Sequence, residues 1–337
     1  RLTRDGNALL RAYCRERGLR VHTCGKLVVA RDESELAGLD ELKRRGDANG
    51  VTLEPISAAE ARQIEPRVKT FQRALFSPNT ATVDPTEVMA ALARDAAAEG
   101  VRIATGAAYV GRQGATVRTT AGDWECGYLV NAAGLYADRI ARDWGFSQRY
   151  QILPFKGLYL YSSEPNGSFR TNLYPVPNLG NPFLGVHFTV TVDGRAKIGP
   201  TAIPCLWREQ YDFWNRFHLD EFVEIFGASL GLFFRAGFDF RGLALEEIKK
   251  YSRPYLVSQA RALAEGVRDE EYTHWGKPGI RAQLFDREKR TLVMDFVVEG
   301  DDRSCHVLNA VSPAFTCSLS FSRHVCEQIA VWRGRSG

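Results

Sequence analysis

Apolar positions recur along the chain in blocks whose spacing changes, and each change marks an element. Leu2, Leu9, Leu10 and Tyr13 repeat with helical spacing up to Gly18, a residue suited to the left-handed turn after a helix, so residues 1–17 are predicted helical. Lys26–Ala30 (KLVVA) reads as a short strand. Asp32 with Glu35, Ser57 with Glu60, and Asp84-Pro85-Thr86-Glu87 each have the spacing of a capping box. Helices are therefore predicted over 32–45, from Ser57 to a stop near Pro66, and from Pro85 to Gly100, where Val88, Leu92 and Ala96 form the apolar stripe. Beyond Gly100 the period shortens. Val101–Ala104, two glycine-joined pieces around Val110 and Val117, and Tyr128–Asn131 read as strands.

The pattern changes again at Leu153. Lys156–Tyr161, Asn172–Val176, Phe183–Thr189 and Ala196–Ile198 are short, aromatic-rich and separated by Gly, Pro and Asn, which predicts an antiparallel, meandering sheet. Residues 220–264 return to helical spacing. Arg281–Leu284, Val293–Val298 and Cys305–Ala310 read as strands, and a last helix is predicted from about Pro313 to Trp332. There are no internal repeats.

A length of 337 residues suggests two domains, or one large domain with a split core. A net charge of +4, with basic residues scattered apart from Lys43-Arg44-Arg45 and Arg333/Arg335, gives no nucleic-acid footprint. The seven cysteines are odd in number and lack C-x-x-C, so neither a disulfide framework nor a zinc site is expected. The six histidines never fall at metal-ligand spacing, and HExxH, G-x-S-x-G and phosphate-loop motifs are absent, so no metal is expected. No apolar run is long enough to span a bilayer. The chain starts at Arg1 inside a helical pattern and has no G-x-G-x-x-G, so an N-terminal piece, able to hide any signal peptide, is expected to be missing.

Four segments could carry chemistry. In GYLVNAAGLYAD (Gly127–Asp138) a buried strand runs into small residues and then a helix. Such a turn lets a ligand approach the backbone, and the helix N-terminus favours negative charge. An ordinary strand-to-helix turn would look the same. HVLNAVSPAFTCSLSFS (His306–Ser322) repeats the arrangement, with Ser312 as a cap and Pro313 at the first helical position. On the aromatic sheet, Phe183, Gly185, His187 and Thr189 would share a face, leaving room beside His187 for a ring or substrate, and Lys156 lies next to Gly157 in a similar setting. A core histidine fits the same pattern. In Pro278–Gln283, Arg281 follows a glycine turn and could present its fork to a carboxylate, or pair with Asp286 or Glu288 nearby.

Several of these segments together resemble a known family. LYPVPN, NPFLGVHFT and DGRAKIGPTA within Leu173–Ala202, PGIRAQLFDR (Pro278–Arg287) and HVLNAVSPAFTCSLS (His306–Ser320) are similar to the L-2-hydroxyglutarate dehydrogenase/oxidase family, within the FAD-dependent D-amino-acid-oxidase-like (DAO) superfamily. Cys24–Ala30, Thr82–Pro85 and Val130–Gly134 agree in order. The resemblance implies an α/β (α+β) fold: a Rossmann-like FAD-binding domain split over residues 1–20, 80–150 and 288–337, and a substrate domain over 21–79 and 151–287 whose mainly antiparallel sheet is covered by helices. It implies oxidation of a small dicarboxylic hydroxyacid, L-2-hydroxyglutarate, to 2-oxoglutarate, with hydride passed to FAD and electrons then to a quinone or oxygen. Ala132, Ala133 and Gly134 would lie along FAD, and Asn309, Ser312, Pro313 and Ala314 would line the flavin ring. Arg281 stands where related oxidases direct an arginine at a substrate carboxylate; Lys156 would be a second cation, His187 the base, and Tyr174 and Gln283 substrate contacts. A cytoplasmic location follows, with peripheral contact at the inner membrane, or a mitochondrial one in a eukaryote.

The chain departs from the family in lacking the G-x-G-x-x-G unit and the histidine segment after it, and in having Phe315 and Cys317 where smaller residues are usual. Two other readings remain: an amine oxidase of the glycine or sarcosine oxidase type, and a truncated relative without catalysis. The aromatic and aliphatic residues within Phe222 to Phe240 fit either a helix pair covering the sheet or an apolar surface for a membrane.

Overall fold

A computed structural model describes residues 2–177, 184–235, 240–310 and 313–334. The helix starts show how far local chemistry dictates structure. Ser57 and Glu60 close a full capping box: Ser57 Oγ accepts the Glu60 N–H at 3.2 Å, and Glu60 Oε2 accepts the Ser57 N–H at 2.7 Å. The helix Ala58–Ile64 follows. Asp84 caps the helix Pro85–Ala98 by accepting the Thr86 N–H at 2.8 Å. Glu87, however, does not return a bond to Asp84; it turns to the Arg20 guanidinium at 3.0 Å, a charged partner stronger than a backbone N–H. Asp32 caps a tight turn at Glu33–Glu35, and the helix starts only at Leu36, because Glu35 accepts the Arg31 N–H instead.

Three strand predictions are corrected, one of them Val293–Val298, of which only Val297 and Val298 lie in a strand, Val297–Gly300. Val101–Ala104 forms no strand: Val101 and Ile103 are exposed, and alternation without a neighbouring ladder cannot make one. Lys156–Tyr161 is two strands, Tyr150–Gly157 and Leu160–Tyr161, which belong to different sheets. The meander of Tyr109–Gln113 and Thr116–Thr119 gains a third strand, Gly122–Glu125, that its sequence does not advertise.

Three sheets position the site. In the first, Leu129–Asn131 runs parallel to Ser304–Asn309, which pairs on its other side with Val297–Gly300. The helices Leu2–Glu16 and Ala314–Gly334 pack together beside it. There the Cβ that Gly6 lacks would lie 2.5 Å from Cys317 Cα and 2.6 Å from Thr316 O. Alanine would gain about 1 kcal/mol in helix propensity, but backbone blocks it and overpacking costs about 1–3 kcal/mol. Gly6→Ala is therefore expected to lower the urea midpoint; a higher midpoint would contradict this close approach.

The second sheet has, among the described residues, the order 274–275, 160–161, 196–199, 187–190, 172–175, 26–29, 73–77, 54–57, and only the 172–175 and 26–29 strands run parallel. Strand alternation divides its residues between two faces. Leu27, Val29, Leu173, Phe188, Val190 and Ile198 face Leu256, Val257 and Ala260 of the helix Arg253–Arg261 and form the largest core. Lys26, Tyr174, His187, Thr189 and Lys197 lie on the opposite face.

The third sheet joins the other two parts. Its long strands Tyr150–Gly157 and Gly279–Asp286 pair throughout. Leu153, Phe155 and Phe285 pack on Ile225 and Leu232 of the helix Leu219–Arg235, while Ile152 and Leu284 pack on Ala137, Ala141 and Leu308. A buried ion pair locks this junction. Asp138 accepts from Arg208 Nη1 and Nη2 at 2.7 and 3.0 Å, from Arg142 at 2.7 Å and from the Ile152 N–H at 3.0 Å. The helix Leu219–Arg235 meets the expectation of a covering helix on one side only. One side is core, whereas Leu219, Val223, Phe226 and Leu230 on the other are 44–67% exposed, near Phe213 and Trp214 in sequence. Phe238 and the side chains of Phe233 and Phe234 lie outside the described residues. No described helix is long and apolar enough to cross a membrane.

Candidate active site

The carboxyl ends of the two parallel strands form two shelves. After Leu129–Asn131, the residues Ala132, Ala133 and Gly134 are exposed. Asn131 shapes the turn: its Oδ1 accepts the Ala133 N–H at 3.1 Å and its Nδ2 donates to Ala137 O at 2.8 Å. Gly134 has φ +56°, and no atom lies within 4 Å of the Cβ it lacks, so conformation rather than crowding demands glycine here. Behind the turn, buried His306 lies 3.1 Å from Asn131 Nδ2 and 3.0 Å from Ser304 Oγ. The amide nitrogen can only donate, so His306 Nδ1 accepts and Nε2–H points to Ser304. Burial pushes the His306 pKa down to about 4, which keeps the ring neutral.

The second shelf follows Ser304–Asn309. Asn309 is buried and its amide is used locally: Oδ1 accepts the Leu284 N–H at 3.4 Å, and Nδ2 donates to Asp295 O at 2.6 Å and Val293 O at 3.2 Å. Pro313 is exposed and Ala314 half-buried; Ser312 lies outside the described residues. Phe315 packs in the apolar cluster of Leu10, Cys14 and Val88, behind the shelf. Small exposed residues at two neighbouring strand ends leave space for a large planar or anionic group.

On the polar face of the large sheet, the Tyr174 and His187 rings stack with centroids 3.9 Å apart. His187 Nδ1 lies 2.9 Å from Gly185 O. A carbonyl only accepts, so Nδ1 carries the proton and Nε2 keeps its lone pair. Burial, helped by Lys26 and Lys197, pushes the His187 pKa down to about 4. Lys26 Nζ sits 5.1 Å from the Tyr174 ring centroid, and Lys197 Nζ 4.4 Å from that of Tyr159. Burial lowers both lysine pKa values. Neither lysine pairs with a carboxylate among the described residues.

The sequence singled out His187 and Tyr174, and the structure brings them together; it missed Lys26 and Lys197. The available signal was a lysine inside each of two apolar strands, CGKLVVA and RAKIG. Lys156 and Arg281, expected to act together, are not on one face. Arg281 pairs with Phe155 and shares a face with Gln283, whereas Lys156 pairs with Ile280 on the other. Gln283 is fully buried; its Nε2 donates to Val293 O at 2.6 Å and its Oε1 has no partner among the described residues. A chain of contacts links Arg281 with His187: His187 pairs with Gly199, the next residue Pro200 lies against Gly157, and Gly157 pairs with Gly279, two positions before Arg281.

The depressed pKa of His187 makes stability depend on pH. Between its ordinary value of 6.5 and about 4 the unfolded chain binds a proton that the folded chain refuses. Stability from this group is thus present above pH 6.5 and lost as pH falls toward 4, by on the order of 3 kcal/mol at most. Urea midpoints at pH 7 and 4.5 should differ in that sense, and His187→Gln should shrink the difference.

Parallel strand ends with small-residue shelves are thus joined through an antiparallel sheet to the polar face of the large sheet. Residues 1–328 match the model of the DAO family, described as FAD dependent oxidoreductase, and the chain belongs to that family. FAD is accordingly its cofactor, and the exposed shelves fit such a group. The chain is 33% identical to the mitochondrial L-2-hydroxyglutarate dehydrogenase of Mus musculus, over 96% of this chain and 74% of that one. It is 30% identical to the L-2-hydroxyglutarate dehydrogenase of Escherichia coli K12, over 96% and 77%. Among solved structures, the FAD-bound L-alpha-glycerophosphate oxidase of Mycoplasma pneumoniae shares the fold with a TM-score of 0.69 at 18% identity, over 92% of this chain and 74% of that one.

Proposed function

We propose that this oxidoreductase converts L-2-hydroxyglutarate to 2-oxoglutarate. The observation that carries the reading is the sheet face where a neutral histidine with an available Nε2 stands among ammonium groups that have no carboxylate partner among the described residues. Such a face attracts an acid and repels the ammonium form of an amine substrate. The names of the relatives point to the same hydroxyacid.

The residues divide the work. Ala132, Ala133 and Gly134 on one shelf, and Asn309, Pro313 and Ala314 on the other with Ser312, would hold FAD. Bound FAD supplies two-electron oxidation of the carbon that bears the hydroxyl. Arg281 orients a carboxylate with its planar fork. His187 Nε2 takes the hydroxyl proton while the Nδ1–H bond to Gly185 O fixes the ring. Tyr174, stacked on His187, keeps that ring from turning and excludes water from one side. A quinone or oxygen would be the final electron acceptor.

A substrate panel with an artificial electron acceptor tests this. L-2-hydroxyglutarate should give a kcat/KM well above those of L-lactate, glycine and sarcosine. Turnover of glycine or sarcosine in preference to the hydroxyacid would replace this reading with amine oxidation.

A further inference from the structure

Lys26 and Lys197 are costly residues for the fold alone. Each extends from a strand whose alternate residues, Leu27 and Val29 or Ala196 and Ile198, are core. Each ammonium rests over a tyrosine ring, Lys26 on Tyr174 and Lys197 on Tyr159. A ring face offsets only part of the lost hydration of a cation, and a buried charge without an anion disfavours folding. Buried Lys250, by contrast, is paired with Glu247. Two ammonium groups with no carboxylate partner among the described residues, on one polar face, therefore need an explanation outside folding.

Their placement supplies one. The strand order 196–199, 187–190, 172–175, 26–29 puts Lys197 on one side of the His187–Tyr174 stack and Lys26 on the other. The two backbones are three strand spacings apart, roughly 14 Å, and the side chains lean over rings near the stack. Anion sites at both ends of a histidine suit a short molecule with a carboxylate at each end.

Resting on the hydroxyacid reading of the same face, we propose that Lys26 and Lys197 form a two-point receptor for a dicarboxylate, one ammonium to each carboxylate, and set the preference for two-headed over one-headed acids. Arg281 is then left to orient the carboxylate next to the reacting carbon, while the lysines measure the length and charge of the whole molecule.

Binding without turnover tests the receptor. Glutarate has both carboxylates but no hydroxyl to oxidise, and butyrate has one carboxylate. Titration calorimetry on the FAD-loaded protein should show glutarate binding about 10- to 100-fold more tightly than butyrate, as expected for one added charge-assisted contact. Lys26→Met and Lys197→Met should each abolish that discrimination, and Lys→Arg at either position should restore much of it. Each Met variant should also melt at a higher temperature than the parent, because an apolar side chain replaces a desolvated cation. A purely structural lysine would behave oppositely, with a lower melting temperature and unchanged discrimination. Undiminished glutarate binding in both Met variants would overturn the receptor even if L-2-hydroxyglutarate is oxidised. Loss of glutarate binding in a protein that does not oxidise L-2-hydroxyglutarate would leave the receptor standing and sink only the assigned reaction.

Discussion

Replacing His187 by Gln is expected to lower kcat by about 10²–10⁴-fold, the usual contribution of a positioned general base. Glutamine is close to histidine in size and can still donate to Gly185 O, so the fold and the Tyr174 contact should survive. What it lacks is a basic nitrogen in place of Nε2. The pH profile makes the test specific. With the free-enzyme pKa of His187 near 4, kcat/KM should fall as the pH drops through that region, where the base becomes protonated, and stay level toward neutrality. The variant should lose this acid limb along with the rate. A variant that keeps the limb, or loses less than tenfold in kcat, would move the base to another residue.

The second large effect concerns stability. Arg208 and Asp138 are both fully buried, and Asp138 is the shared acceptor of two guanidinium groups and one backbone N–H. Asp138→Ala leaves the Arg208 charge buried beside only part of its former partners, Leu135 O and half-buried Glu224. Breaking such a pair costs about 3–5 kcal/mol, a large share of a total of about 5–15 kcal/mol. Guanidinium midpoints should report this loss. The double variant Asp138→Leu/Arg208→Met should recover much of it, since well-packed apolar residues can replace a buried ion pair at little cost. If Asp138→Ala keeps the parent midpoint, the junction between the turn after Asn131 and the antiparallel sheet is held by packing alone.

The parts of this structure that were legible in the sequence are those decided locally. The Ser57–Glu60 box, the Asp84 cap, the glycine after the first helix and the turn after Asn131 depend on residues a few positions apart. The family resemblance, carried by segments such as PGIRAQLFDR and NAAG, extended that reading to the cofactor and was matched over residues 1–328. What escaped depends on strand order. Lys26 and Lys197 share one face on either side of the His187–Tyr174 stack only because the 172–175 and 187–190 strands lie between theirs, an arrangement with no trace in the spacing of either segment. Lys156 and Arg281 lie on paired strands, yet register places them on opposite faces, and a shift of one residue would have reversed that result. Glu87 illustrates the same limit on a smaller scale: its capping role was displaced by Arg20, distant in sequence and near in space.

The most direct test of the account is the visible spectrum of the purified protein, recorded anaerobically before and after one equivalent of L-2-hydroxyglutarate. A flavin spectrum that bleaches, with one equivalent of 2-oxoglutarate formed, is the predicted result. A flavin spectrum left unchanged by L-2-hydroxyglutarate but bleached by glycine or sarcosine would contradict it.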